Sequence, residues 1–467
     1  MVQKNEPSNI IFMNGIHPKI SSEKTTIVLF INRAGRKLSL ARRPLSLLLA
    51  GLGVFMAATA SGLDCSALMR SADSARAARY EVFRGFPIKG ICGTTRLDLA
   101  ASYGANTLRT YTPPSREQLD EYQRLGFKVI VGIWMPNQGE NDGKDARWNY
   151  DYREKGDEQV SSFAETVERI GNHPAILMWC LGNEVHLDPP YLETVNRMSK
   201  KLHEKYPKQI SSLTMINAPK PKIELIKQFA PDLDVIGYNS YGHGAVGGAS
   251  KNLEAVWGRA YYVSEFGPQG PWWGRKTAWG EFYEQSYDAK LDDLRNSFRK
   301  IEAAPLCLGS TMFLWGSGPQ EKPTYFCAFL SPQGDARKID AKELYATPIA
   351  EEFCHYWSGK YPQPRGPLLA KIKIDGQTNQ SDAVVRSGQT FKVTATATNL
   401  DGKNSRLQFR WWILDKAGKT VSGPVSSDQP TAEITAPKEP GTNYVVMGYV
   451  IGGGNRASGF TVPVLVK

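Results

Sequence analysis

Histidine and cysteine are scarce, six of each in 467 residues, and no spacing among them resembles a metal site. No glycine-rich phosphate loop follows a first strand, so neither a nucleotide nor any other cofactor is expected. A dense basic stripe is also missing, although the formal charge is +11. Residues 1–60 hold eight Lys/Arg against two Glu, a net of +6 that leaves +5 for the rest. That remainder is ordinary for a secreted enzyme and argues against nucleic acid as a partner.

Charge is absent as well from Leu45 to Leu63, a run that follows Arg42-Arg43 and contains Ala57-Ala58-Thr59-Ala60. A basic flank, an apolar run and small residues read as an export signal cleaved after Ala60. The alternative is an uncleaved anchor, because these 19 residues approach the ~20 that a spanning helix needs. Either reading exports the remainder to the periplasm or the exterior, and the second tethers it to the membrane through residues 45–63. Export permits disulfides, but a chain this long can bury an adequate core without them. Cys327 with Cys354 is the one pairing considered, and Cys92 and Cys180, inside apolar runs, are expected as buried thiols.

From Pro87 to Trp357 short apolar runs alternate with longer amphipathic ones, the pattern of repeated βα units. Strand candidates are Ile88 to Cys92, Thr107 to Arg109, Val129 to Trp134, Ile176 to Leu181, Ile210 to Met215, Val235 to Asn239, Tyr261 to Ser264 and Ser310 to Leu314. Eight units over this length predict a closed (β/α)8 TIM barrel, a fold of roughly 250 residues. Pro362, Pro364 and Pro367 then mark a linker. Short β-rich runs separated by turns follow it and predict an all-β immunoglobulin-like sandwich. Trp411 is its expected core anchor, and Trp412, facing the other way, is expected at the surface. The plan is an export signal or anchor over 1–60, a leader over 61–85, the barrel over 86–360, the linker over 361–368 and the sandwich over 369–467.

Barrels carry their chemistry at the C-terminal ends of the strands. Glu184 ends the fourth run and Glu265 the seventh, 81 residues apart. Closure would bring these carboxyl groups to one mouth, where a separation of about 5–5.5 Å makes one a nucleophile and the other an acid/base, with retention of configuration. Asn183 is placed to bond a sugar hydroxyl beside the scissile bond, or to satisfy its own turn. Nine of eleven tryptophans lie in the barrel segment. Trp134, Trp272, Trp273 and Trp315 fall at strand ends or in following loops, where flat rings can stack on sugar faces. Trp134 and Trp315 are read as substrate platforms, Trp179 as core. His243 is either a substrate contact or a surface loop residue.

His173-Pro-Ala-Ile-Leu-Met-Trp-Cys-Leu-Gly-Asn-Glu184, Asp234-Val-Ile-Gly-Tyr-Asn-Ser-Tyr241 and Tyr262-Val-Ser-Glu265-Phe-Gly resemble the catalytic barrel of glycoside hydrolase family 2. Asn106-Thr-Leu-Arg109-Thr-Tyr is similar to that family's second-strand motif, and Phe313-Leu-Trp315-Gly to its eighth. The resemblance implies Glu184 as acid/base, Glu265 as nucleophile, and Arg109 and Tyr241 as groups that orient or tune the nucleophile. Two departures stand out: Tyr111 and Thr112 replace the family's serine and histidine, and no stretch reads as its N-terminal sugar-binding sandwich. Gly182-Asn-Glu184-Val and Ser264-Glu265 also look like fungal β-1,3-glucanosyltransferases, which implies a β-linked oligo- or polysaccharide of β-glucan type. The expected activity is therefore a retaining glycosidase or transglycosylase. The competing expectation is a noncatalytic polysaccharide-binding or cell-envelope scaffold.

Overall fold

The computed structural model describes residues 66–137, 150–318, 324–334, 340–378, 381–401 and 406–467. The export or anchor segment, its cleavage site and Cys65 lie outside the described residues. Eight parallel strands close a barrel in chain order: β1 (Ile88–Cys92), β2 (Thr107–Arg109), β3 (Lys128–Ile133), β4 (Ile176–Asn183), β5 (Ser211–Ile216), β6 (Val235–Asn239), β7 (Tyr261–Phe266) and β8 (Cys307–Met312). Nearly every residue of these strands is buried, because barrel strands face side chains inside and helices outside. The seam pairs Gly90 with Thr311. A Cβ on Gly90 would lie 2.3 Å from the Thr311 side chain, so this close approach requires glycine.

The helices start where the sequence provides caps. Ser115 and Gln118 form a capping box ahead of Arg116–Arg124, and Asp188 caps Pro189–Lys205, which opens on proline. Each turns an apolar face to the barrel, as with Leu192, Val195, Met198 and Leu202 in the second. Two short helices, Ser66–Arg70 and Ser74–Tyr80, supply Leu68 and Tyr80 to a cluster with Ile88, Met178, Ile210, Val235 and Leu308 at the starts of the strands. Arg79 is ion-paired to the buried Asp234 at 2.8 Å there. This packing closes the N-terminal end of the barrel and leaves the other end for function.

The β-sandwich follows the proline segment. One sheet orders β12 (Gln377–Thr378), β11 (Leu368–Ile374), β14 (Thr390–Thr398) and β17 (Thr431–Thr435). The other orders β16 (Thr420–Ser427), β15 (Gln408–Asp415), β18 (Gly441–Gly452) and β19 (Arg456–Val466), with β13 (Ala383–Val385) also paired to β19. That second sheet continues into two strands that precede the prolines, β10 (Tyr345–Ala346) and β9 (Phe329–Leu330), through Ala346 opposite Arg456. Trp411 lies in the sandwich core. Trp412 corrects the expectation of exposure: it is 1% exposed and packs with Leu330, Tyr345 and Tyr449. Strand alternation turned it away from the sandwich core, but the barrel segment covers that second face. The considered pairing of Cys327 with Cys354 is also corrected, since both are free thiols. Cys327 accepts from the Gly318 N–H at 3.1 Å, and Cys354 donates to the Lys360 carbonyl at 3.4 Å.

Candidate active site

β4 delivers Asn183 and then Glu184, whose backbone is left-handed with φ +53°. For a glutamate this conformation costs energy, and such strain gathers where a side chain must be aimed. The Glu184 N–H still donates to Thr214 O on β5 at 2.9 Å, which fixes the turn. On the opposite wall, Glu265 lies within β7 and is 5% exposed.

Three donors converge on Glu265. Arg109 Nη1 donates to Oε1 at 2.8 Å, Tyr111 OH to the same oxygen at 2.6 Å, and Tyr241 OH to Oε2 at 2.8 Å. The second guanidinium nitrogen, Nη2, donates to Asn183 Oδ1 at 2.6 Å. Asn239 Nδ2 donates both to Asn183 Oδ1 at 3.1 Å and to Glu184 Oε1 at 2.7 Å. Ser264 Oγ in turn donates to Asn239 Oδ1 at 2.9 Å and so orients that carboxamide. One network thus runs from Glu265 through Arg109, Asn183 and Asn239 to Glu184. Burial, and then the Glu265 and Glu184 carboxylates, hold the Tyr241 hydroxyl well above its usual range. Burial foremost, with the Glu265 charge contributing, does the same for Tyr111. Both phenols therefore keep their protons and remain donors.

Around this pair the aromatic residues divide. Tyr241 meets Trp272 edge-on at 5.6 Å and Phe326 at 4.9 Å, within a cluster that includes Phe313. Trp134, Trp272 and Trp273 are exposed. Trp315 corrects the expectation of a sugar platform. It is fully buried, enclosed by Tyr103, Phe329 and Trp357, and Phe313, two residues earlier, is the one that joins the Tyr241 cluster. His243 begins the helix His243–Asn252 and pairs through Nδ1 with Asp293 of the helix Tyr287–Glu302. Motif reading had passed over Tyr111 and Asn239. Asn239 stands inside the quoted sixth-strand motif, and Tyr111 is the very residue that departs from the family pattern.

Among the described residues no three His, Cys, Asp or Glu gather as metal ligands, and no helix is long and apolar enough to cross a membrane. Residues 94–241 match the family described as "Glycosyl hydrolases family 2, TIM barrel domain". That span takes in the barrel from β2 to β6. Arg109, Asn183, Glu184 and Tyr241 fall within the matched span, and Glu265 lies beyond it. A β-galactosidase of Arthrobacter sp. (strain B7) is 34% identical over 96 residues, 19% of this chain and 9% of that protein. Among solved structures, a Bacteroides uniformis β-glucuronidase is 15% identical with a TM-score of 0.41, over 82% of this chain and 46% of that one. A Ruminococcus gnavus β-glucuronidase is 17% identical with a TM-score of 0.40, over 50% and 44%. The chain thus spans under half the length of these proteins.

Proposed function

We infer that this chain is a retaining β-glycosidase or transglycosylase that works by double displacement. The observation that carries this reading is the unequal setting of the two glutamates. Glu265 is buried beneath a guanidinium and two phenols, a shell of donors that fixes and orients the carboxyl group as a nucleophile requires. Glu184 is half-buried and accepts from Asn239 Nδ2; open to an incoming substrate, it is assigned the proton transfers. In the first step Glu265 attacks the anomeric carbon while Glu184 gives its proton to the departing oxygen, leaving a glycosyl ester on Glu265. In the second step Glu184 takes a proton from water or a sugar hydroxyl, which displaces Glu265. Asn183, held by Arg109 and Asn239, is the candidate contact to the hydroxyl beside the scissile bond, and Trp134 is a candidate platform. The substrate is a β-linked glycan, of β-glucan type on the motif similarity. The Leu45–Leu63 run supports an activity outside the cytoplasm, released or tethered.

A mechanism-based label tests this. The full chain is treated with 2,4-dinitrophenyl 2-deoxy-2-fluoro-β-glycosides of the gluco, galacto and glucuronic series, and its mass and peptides are read. One adduct on the peptide holding Glu265 is expected. An adduct on another residue, or none across the series, overturns the reading.

A further inference from the structure

Residues 267–286 join β7 to the helix Tyr287–Glu302, a longer connection than the roughly 12–15 residues at which loops of a compact domain become uncommon. The second half folds back on itself: Thr277 N–H donates to the Glu281 carbonyl at 2.8 Å and Tyr283 N–H to the Arg275 carbonyl at 2.9 Å. A lone two-stranded hairpin is marginal in water and needs a partner. The sandwich provides one. Asp382, just ahead of β13, accepts from Tyr283 OH at 2.5 Å and from the Ala278 N–H at 3.1 Å. Thr461 of β19 donates through N and Oγ1 to the buried Glu284 at 2.8 and 2.7 Å. Glu284 also accepts from Thr324 Oγ1 at 2.7 Å, which draws in the segment after β8.

Both held segments reach Tyr241. Trp272, ahead of the hairpin, meets its ring edge-on at 5.6 Å, and Phe326, two residues after Thr324, lies 4.9 Å from it. The backbone repeats the link, since Gly242 N–H donates to the Gly267 carbonyl at 3.2 Å and Gln269 packs on Gly242. Tyr241 OH then donates to Glu265 Oε2 at 2.8 Å. Contacts therefore run unbroken from the sandwich to the nucleophile, and a misplacement of about 1 Å at the end of such a chain can cost roughly 10²-fold in rate.

We propose that the sandwich completes the active site: Asp382 and Thr461 are positioning residues that hold the segments after β7 and β8, and through Trp272 and Phe326 they fix Tyr241 on Glu265. The proposal rests on the glycosidase reading and adds a second domain to it. The test uses the full-length chain and the 2,4-dinitrophenyl β-glycoside whose fluoro analogue labels Glu265, a substrate one sugar long. Asp382→Ala and Tyr283→Phe should each lower kcat about tenfold, and Asp382→Asn, which keeps one acceptor, by less. Asp382 is exposed, so its replacement leaves the core in place, and thermal melts check this. In a Trp272→Ala background Asp382→Ala should cost at most about a further twofold, because coupled groups are not additive. Hydrogen exchange read by mass spectrometry should quicken across residues 267–286 and also at Tyr241 and Gly242. An unchanged kcat in both variants, a loss that adds in full to that of Trp272→Ala, or quickened exchange confined to residues 275–283 overturns the proposal. If no glycoside labels Glu265 the catalytic reading falls by itself, and the spread of exchange to Tyr241 still decides whether the sandwich braces it.

Discussion

Replacing Lys290 with Met should cost about 3 kcal/mol of folding stability, the low end of the roughly 3–5 kcal/mol lost when one partner of a buried ion pair is removed. Lys290 and Glu284 have side chains 1% and 0% exposed, and Nζ donates to Glu284 Oε1 at 2.5 Å and to Thr324 O at 2.9 Å. Methionine fills the same volume but leaves the Glu284 charge without its cation. The low end applies because Glu284 keeps three donors, Thr324 Oγ1 at 2.7 Å and the Thr461 N and Oγ1. Urea unfolding followed by tryptophan fluorescence at pH 7 gives the difference. The double variant Lys290→Met/Glu284→Gln removes the stranded charge while retaining an acceptor for both threonines, and should recover to within about 2 kcal/mol of the parent. A Lys290→Met protein within 1 kcal/mol of the parent, or a double variant worse than the single one, would refute the buried pair as the tie between the β7 loop and the sandwich.

The other predictions concern the site and a second buried acid. Glu184→Ala should slow the second step on an activated aryl β-glycoside by about 10²- to 10⁴-fold, and azide should restore turnover with a β-glycosyl azide as product; an α-azide by NMR contradicts retention. Tyr111→Phe removes a hydrogen bond to a charged group, a loss of about 1.5–3 kcal/mol, or roughly 10- to 100-fold in kcat/KM, and a ratio within twofold of the parent would mean that Tyr111 only packs. Burial raises the Glu351 carboxyl above its ordinary 4.5, against the pull of Gly366 N–H and Arg456. Its contribution to stability is therefore full below pH 4.5 and falls as pH rises through the raised value. Glu351→Gln should gain on the parent over that range in urea titrations, and a pH-independent difference would contradict the shift.

The barrel was legible because buried parallel strands write themselves as short apolar runs. The β1, β2 and β6 ranges read from sequence coincide with those observed, while β8 begins earlier because Cys307 and Gly309 carry no strong strand signal. Arg109 and Tyr241 were read as neighbours of Glu265, and both touch it. Tyr111 was invisible in that role, since comparison with a motif registers a substitution as a loss, and only geometry shows the phenol bonded to Glu265. Trp412 and Trp315 were misplaced for a related reason: alternation tells which way a side chain points, not what lies there. Strands as short as β9 and β10 leave no periodicity to find, so the sheet that crosses the proline segment could not be read in advance.

That crossing sheet sets the order in which the chain can finish folding on the ribosome. Ala346 pairs with Arg456, 110 residues later. At about 5–20 residues per second, synthesis takes roughly 5–20 s to cover that interval. Throughout it the outer edge of β10 and the apolar faces of Leu330 and Tyr345, destined for Trp412, wait uncovered. A nascent chain is thus most exposed to aggregation just before β19 emerges, and a chaperone that shields this one edge would serve it more than one that assists the barrel itself.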